Sequence, residues 1–115
     1  MDANEAIVVF ITTANSEEAA RLADMLIEQR LAACVQILPE VESVYRWQGK
    51  IERQKEVLVI AKSTKAKFDD LEREVRALHS YEIPEIVALP LAAGSPPYLE
   101  WLDSSVNVEA EARET

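Results

Sequence analysis

The sequence predicts an α+β domain with an antiparallel sheet, and three observations lead to this fold class. Short β-branched runs without helical spacing alternate with two segments whose apolar residues recur every three or four positions. The segments follow in the order strand, helix, strand, strand, helix, strand. The two central strands are joined by a tight turn, so they must pair antiparallel. The length of 115 residues suits one domain.

The first strand and the first helix lie in the opening quarter of the chain. Residues 7–11 form a short β-branched run that predicts a buried strand. Ser16 is predicted to cap the helix that follows, and the two acids after it suit the positive end of a helix. The helix is predicted to reach about Arg30, with one apolar stripe formed by Ala19, Leu22, Ala23, Leu26 and Ile27.

A long hairpin follows. Its first arm, residues 33–47, is interrupted at Pro39. Because proline has no amide hydrogen to donate, the strand must bend, bulge or lie at an edge there. The chain is predicted to turn at Gln48-Gly49 and to return over residues 51–62.

The second half repeats the helix and strand pattern. Ser63 and Thr64 are predicted to cap a second helix, whose apolar stripe is Phe68, Leu71, Val75 and Leu78. A last strand is predicted over residues 86–91 and a short closing helix over residues 98–102.

These elements predict a single domain over residues 1–115, with a core of about 6–103. Residues 104–115 form a polar tail that is expected to fray or to form a loose helix. The order of elements is the split β-α-β arrangement of ferredoxin-like domains, with four antiparallel strands and both main helices on one face of the sheet.

Charge and cysteine content limit the function. Twelve basic against 21 acidic residues give a net charge of −9, which disfavours nucleic-acid binding and an anionic membrane surface. The negative net charge suits binding of a metal cation or a positively charged small molecule. The alternative is that the acidic surface only keeps the protein soluble. With one cysteine, Cys34, no leader pattern and no long apolar run, a cytoplasmic protein is expected.

The hairpin predicts self-association. Arms of about ten residues reach ~33 Å, whereas a domain of this size has a radius of gyration of about 13 Å. The outer hairpin carries Val44, Tyr45 and Trp47, which need a partner if they lie beyond the core. The alternative is that Tyr45 and Trp47 cap the sheet of their own chain.

Few motifs of established chemistry are present. Two glycines, Gly49 and Gly94, cannot form a phosphate-binding loop, and no catalytic signature occurs, so no enzyme is expected. One polar cluster remains after the second helix. Its His79, together with Glu82 and Glu85, forms a candidate site for Cu(II) or another divalent cation, completed by neighbouring copies. The alternative is that His79 only ends the helix.

Other polar and aromatic residues have two interpretations each. Cys34 lies among apolar neighbours, where an inert thiol is usual. Glu56 and Lys62 share a strand face and either frame a polar cavity or form a solvated pair. Trp101, with the nearby Tyr98, is expected to cover the core.

Four sequence blocks carry a family resemblance. Residues 31–35, 44–52, 79–86 and 97–102 resemble, in order, the CutA family of divalent-cation tolerance proteins, and the similarity extends over about residues 6–103. The resemblance implies a homotrimer with exchanged hairpins, related in architecture to the PII signalling proteins. It implies tolerance to copper and other divalent metals, with no known reaction and no required cofactor.

The resemblance also suggests a site between subunits. Its cavity would contain Tyr45, Trp47, Glu56, Lys62, Tyr81 and Trp101. An alternative function is that of a PII-like small-molecule sensor or signalling trimer.

Three positions depart from patterns in the family. Some bacterial members have a cysteine where this chain has Thr12, and consecutive histidines where it has Leu78-His79; Ser80 replaces a proline. Only His79 remains of the copper ligands proposed for the family. The resemblance therefore implies, at most, weak Cu(II) binding through His79 and carboxylates.

Overall fold

The computed structural model describes residues 5–107 and confirms the predicted order of strands and helices. Within this part of the chain, no helix is long and apolar enough to cross a membrane. A 3-10 turn, Lys65–Lys67, precedes the second helix. The elements are β1 (Ala6–Thr13), α1 (Ser16–Glu28), β2 (Cys34–Trp47), β3 (Lys50–Thr64), α2 (Phe68–Leu78), β4 (Ile86–Pro90) and α3 (Pro96–Val106).

The four strands form one antiparallel sheet in the order β2-β3-β1-β4. Odd-numbered residues of β1, and those of β3 from residue 57 to residue 63, are buried: Val9, for example, lies opposite Ala61, and both are fully buried. The apolar stripes of α1 and α2, with Leu22 and Leu71 at their centres, pack into the same core. The ferredoxin-like α+β prediction is therefore confirmed.

The cap of α1 differs from the prediction. Asn15, not Ser16, is the N-cap: its backbone is extended, with φ −156°, and its side-chain oxygen accepts a hydrogen bond from the Glu18 amide at 2.8 Å. Ser16 is already the first helical residue. Both residue types cap helices well, so composition alone did not distinguish the two positions.

The predicted cap of α2 is also wrong. Strand β3 continues through Thr64, and the Ser63 hydroxyl donates to the Leu31 carbonyl at 2.6 Å. The N-cap position of α2 is occupied by Lys67, which makes no side-chain capping bond. Ser63 therefore connects the end of β3 to the segment between α1 and β2.

The hairpin projects beyond the sheet, as predicted. A register shift lies between Leu38 and Val41, which confirms the irregularity expected at Pro39. From the pair Val41 and Glu56 outward, β2 and β3 pair only with each other within residues 5–107, because β1 ends opposite Val57. The resulting domain measures 51 × 26 × 22 Å, with a radius of gyration of 15.1 Å instead of the ~13 Å usual for this length.

The closing helix is longer than predicted. α3 starts with two prolines, which are tolerated in the first helical turn because the amides there have no partner within the helix. It ends at Val106, so the first three residues of the predicted tail are helical, and Ser104 and Val106 are buried. The rest of the predicted tail, from residue 108, lies outside the described residues.

Candidate functional site

A cavity of about 510 Å³ lies where the hairpin leaves the sheet. The end of β1, both hairpin arms and the loop between α2 and β4 supply its walls. Its volume is within the range of small-molecule sites, about 300–1,000 Å³. The lining residues are Thr12, Ser43, Val44, Tyr45, Trp47, Gln54, Glu56, Tyr81, Glu82, Ile83 and Glu85.

This cavity brings together residues that the sequence assigned to two sites. Four of the six predicted cavity residues line it: Tyr45, Trp47, Glu56 and Tyr81. Two of the three predicted metal ligands, Glu82 and Glu85, line the same cavity. One chain is sufficient to form these walls, and the sharing of the cavity between copies stays a prediction.

Lys62 does not line the cavity. It lies on the same face of β3 as Glu56, as predicted, but six residues away, which is about 20 Å along a strand. Its Nζ donates to Gln36 Oε1 at 2.9 Å. The strand partner of Lys62 is Cys34, a free cysteine that is half-buried.

Trp101 also lies outside the lining. On α3 it packs against Tyr98, with 5.5 Å between the ring centroids, and both rings stay largely exposed. Leu102, the next residue, is the one that is buried. The side of α3 that carries Leu102 and Val106, and not its aromatic pair, is therefore the buried side of the helix.

Tyr81 fixes the most deeply buried carboxylate of the cavity. Its hydroxyl donates to Glu56 Oε2 at 2.7 Å, and Glu56 is only 7% exposed. Burial, followed by the hydrogen bond to Glu56, raises the pKa of Tyr81 well above its ordinary value, so the hydroxyl keeps its proton. Tyr81 is therefore a hydrogen-bond donor and not a base.

Tyr45 has its ring held in a similar way. Its hydroxyl donates to Gln54 Oε1 at 2.6 Å, across the two hairpin arms. Tyr45 and Gln54 both line the cavity, so this bond orients one aromatic wall.

His79 lies behind the cavity wall and not in it. As predicted, it ends α2, and its ring is buried. Nε2 lies 2.7 Å from the Thr12 carbonyl, and Nδ1 accepts from the Tyr81 amide at 3.0 Å. A carbonyl oxygen can only accept, so Nε2 carries the proton in this arrangement. Both nitrogens thus hold β1 and the loop after α2 together.

Glu18 is a buried polar residue that the sequence reasoning missed. Its Oε2 accepts from the Ser80 amide at 3.0 Å and its Oε1 from the Ala14 amide at 3.4 Å. Burial favours a higher pKa for Glu18, but the hydrogen bonds from Ser80 and Ala14 outweigh it, and the pKa is lowered. The signal that was available is the helix-start pattern Asn15-Ser16-Glu17-Glu18, in which an acid follows a cap residue by three positions.

No group of three histidine, cysteine or acidic residues within residues 5–107 is arranged to hold a metal ion. Glu82 and Glu85 are exposed at the cavity, whereas His79 is buried behind it. The predicted trio therefore does not meet within one chain. Its completion by neighbouring copies stays a prediction.

Comparisons with known proteins cover most of the chain. The sequence profile described as "CutA1 divalent ion tolerance protein" matches residues 7–105. A divalent-cation tolerance protein CutA from Thermus thermophilus is 50% identical over 95 residues, which are 83% of this chain and 92% of that protein. The chloroplastic protein CutA of Arabidopsis thaliana is 44% identical over 99 residues, 86% of this chain. This chain spans only about half of that plant relative, 54% of its length.

A solved structure has the same fold. The structure titled as the periplasmic divalent cation tolerance protein CutA from Archaeoglobus fulgidus superposes with a TM-score of 0.86 at 40% identity, covering 89% of this chain and 99% of that one. Relatives are thus named for the chloroplast and the periplasm. A cytoplasmic location for this chain stays a prediction.

Proposed function

The chain belongs to the CutA1 family of divalent ion tolerance proteins, and from this membership we propose that it acts in the response to divalent metal ions as a homotrimer. The observation that carries the proposal is the acidic cavity at the base of the hairpin. Glu56, Glu82 and Glu85 line it, and among residues 5–107 no lysine, arginine or histidine does. Carboxylate oxygens favour cations, and the net charge of −9 adds to the attraction.

Exposed apolar side chains support the proposed trimer. On the hairpin, Trp47 is 43% and Ile51 is 68% exposed. On the sheet, Val87 and Leu89 of β4 are about half exposed. A hairpin that pairs only with itself and carries such residues gains stability when neighbouring copies cover it. Light scattering on the purified protein tests this, and the expected mass is three times 12.9 kDa.

The proposed metal site uses the carboxylates at the cavity mouth. Glu82 and Glu85 are exposed and available as ligands, whereas His79 would have to give up its bond to Thr12 or Tyr81. Carboxylate oxygens suit Cu(II) less well than imidazole nitrogens do, so the binding proposed here is weak. No cofactor is required in this proposal.

Calorimetric titration with Cu²⁺ tests the metal site. We expect Glu82→Gln combined with Glu85→Gln to weaken binding, and Glu100→Gln on the exposed surface of α3 to leave it unchanged. Identical isotherms for the wild type and His79→Ala would remove His79 from the site. Unchanged binding in the double variant would refute the carboxylate site.

A small-molecule sensor, comparable to the PII proteins, is the second candidate function. The cavity of about 510 Å³ favours it, because one metal ion needs far less space. A thermal-shift screen of metabolites that finds no stabilising compound would argue against this alternative.

Catalysis is not proposed. The family is described by tolerance to ions and not by a reaction. The side chains available for an acid–base mechanism are Lys62, Glu56 and Tyr81. Tyr81 keeps its proton, and Lys62 lies away from Glu56. Nucleic acid is likewise not a proposed partner, because of the acidic charge balance.

A further inference from the structure

We infer that the cavity binds an organic cation, in which an ammonium group is attached to an apolar body. This inference concerns the same cavity as the proposed function, is separate from its metal site, and uses residues of one chain. Three features of one chain carry it: an oxygen that belongs to a largely buried carboxylate residue and accepts no hydrogen bond from residues 5–107, aromatic walls, and the absence of any basic side chain among the described lining residues.

The carboxylate oxygen belongs to Glu56. Its Oε2 accepts from the Tyr81 hydroxyl, while among residues 5–107 no group donates a hydrogen bond to Oε1. Glu56 is only 7% exposed, so its carboxylate has lost much of its hydration, while Oε1 is not among the fully buried atoms and stays accessible. An ammonium group supplies both the opposite charge and the N–H donors that Oε1 lacks.

The aromatic walls favour an organic ligand over a bare metal ion. Tyr45, Trp47 and Tyr81 line the same space as Glu56. Their rings attract an ammonium group electrostatically and also bury the apolar body to which it is attached. A hydrated metal ion uses oxygen ligands and gains little from these rings.

Charge and size agree with this ligand class. Glu82 and Glu85 at the mouth add two negative charges without a compensating lysine or arginine in the lining. A cavity of about 510 Å³ accommodates a molecule of many non-hydrogen atoms, well beyond a single ammonium ion. The ligand is therefore expected to place its ammonium group at Glu56 and its apolar part along Trp47.

Fluorescence of Trp47 provides the test. The chain has two tryptophans, so Trp101→Phe leaves Trp47 as the only one. The probe is 2-phenylethylammonium, and 2-phenylethanol, which has the same carbon skeleton but is neutral, is its matched control. All titrations contain a metal chelator. We expect a saturable change with the amine, and binding of the alcohol about tenfold weaker or more, because a charge-assisted hydrogen bond is lost.

Two substitutions locate the charge that is recognised. Glu56→Gln keeps the size of the side chain and is expected to weaken amine binding about tenfold, with Glu85→Gln having a smaller effect at the exposed mouth. Glu100→Gln, an exposed acid outside the cavity, is the control and should bind like the parent. A near-ultraviolet circular dichroism spectrum verifies that the Glu56 variant is folded.

The inference is overturned if the amine and the alcohol bind equally, if the amine does not saturate, or if Glu85→Gln and Glu56→Gln both bind the amine like Glu100→Gln. These outcomes differ from failure of the proposed function. Cu²⁺ binding without amine binding would retain the metal proposal and reject the organic-cation inference. Amine binding in the presence of the chelator, without Cu²⁺ binding, would retain the inference and reject the metal proposal.

Discussion

The body of the domain and its projecting hairpin bury their apolar residues to very different extents. In the body, Val9, Leu22 and Leu71 are fully buried between sheet and helices. In the hairpin, Trp47 is 43% and Ile51 is 68% exposed, and among the described residues the outer arms pair only with each other. The body is thus stabilised by its own chain, whereas the hairpin presents surface that another molecule can cover. The acidic cavity lies at the junction of these two regions.

The largest expected effect is on folding of the body. Leu22→Ala should lower the free energy of unfolding by about 2–5 kcal/mol, because it leaves a cavity in the core. Ile51→Ala, the matched truncation on the hairpin, should change it by about 0.5 kcal/mol or less in protein diluted to single chains. Urea unfolding measures both. Equal losses in the free energy of unfolding would show that the hairpin residue contributes as much to the stability of one chain as the core residue of α1 does.

The next effect concerns assembly. Ile51→Glu should lower the mass seen by light scattering below three times 12.9 kDa, because it places a charge on the surface that neighbouring copies are proposed to cover. Ile27→Glu, at an isoleucine of α1 that is 45% exposed, is the control for added charge. An unchanged mass for Ile51→Glu, or an equal fall in both variants, would contradict the role given to the hairpin.

A third prediction concerns acid stability of the body. The pKa of Glu18 in the folded protein is lowered from its ordinary value of 4.5, so the folded state binds fewer protons than the unfolded state below that pH. The stabilisation from Glu18 is complete above pH 4.5 and is lost as pH falls through the lowered pKa.

Urea unfolding at several pH values measures this dependence. Glu18→Gln should reduce the fall in the free energy of unfolding below pH 4.5. Glu17→Gln, one residue earlier and exposed, should keep the pH dependence of the wild type. The same slope in both variants would mean that the buried hydrogen bonds of Glu18 do not control the acid transition.

The smallest effect is expected at the hairpin tip. Gln48 has φ 50° and Gly49 has φ 79°, both in the left-handed region that asparagine tolerates better than glutamine. Gln48→Asn should therefore stabilise the protein by about 0.5 kcal/mol or slightly more, measured as a rise in melting temperature. A fall in melting temperature would show that the Gln48 side chain contributes something that the backbone preference does not describe.

The sequence was informative where a pattern is local. Short apolar, β-branched runs predicted the strands, the spacing of apolar residues predicted the two main helices, and Pro39 predicted the irregularity in β2. The helix starts were harder, because Asn15 and Ser16 are both good caps and because Thr64 ends a strand.

The site was only partly predictable, since it depends on distances that a pattern does not contain. Strand alternation placed Lys62 and Glu56 on one face but not within reach of each other. The bonding of His79 depends on the Thr12 carbonyl, 67 positions earlier in the chain. Glu18 meets Ser80 across a similar separation, and only the tertiary fold brings them together.

The irregularity between Leu38 and Val41 determines which side chains reach the cavity. Up to Leu38, even-numbered residues of β2 share a face with even-numbered residues of β3. From Val41 onward, odd-numbered residues of β2 share that face instead, because β2 has one residue more than β3 between these two pairs. Tyr45 and Trp47 therefore lie on the side of Glu56. Deleting the extra residue of β2 would move every side chain of the outer arm to the opposite face of the hairpin. Both rings would then point away from the glutamates of the cavity, although no side chain of the site itself had been changed.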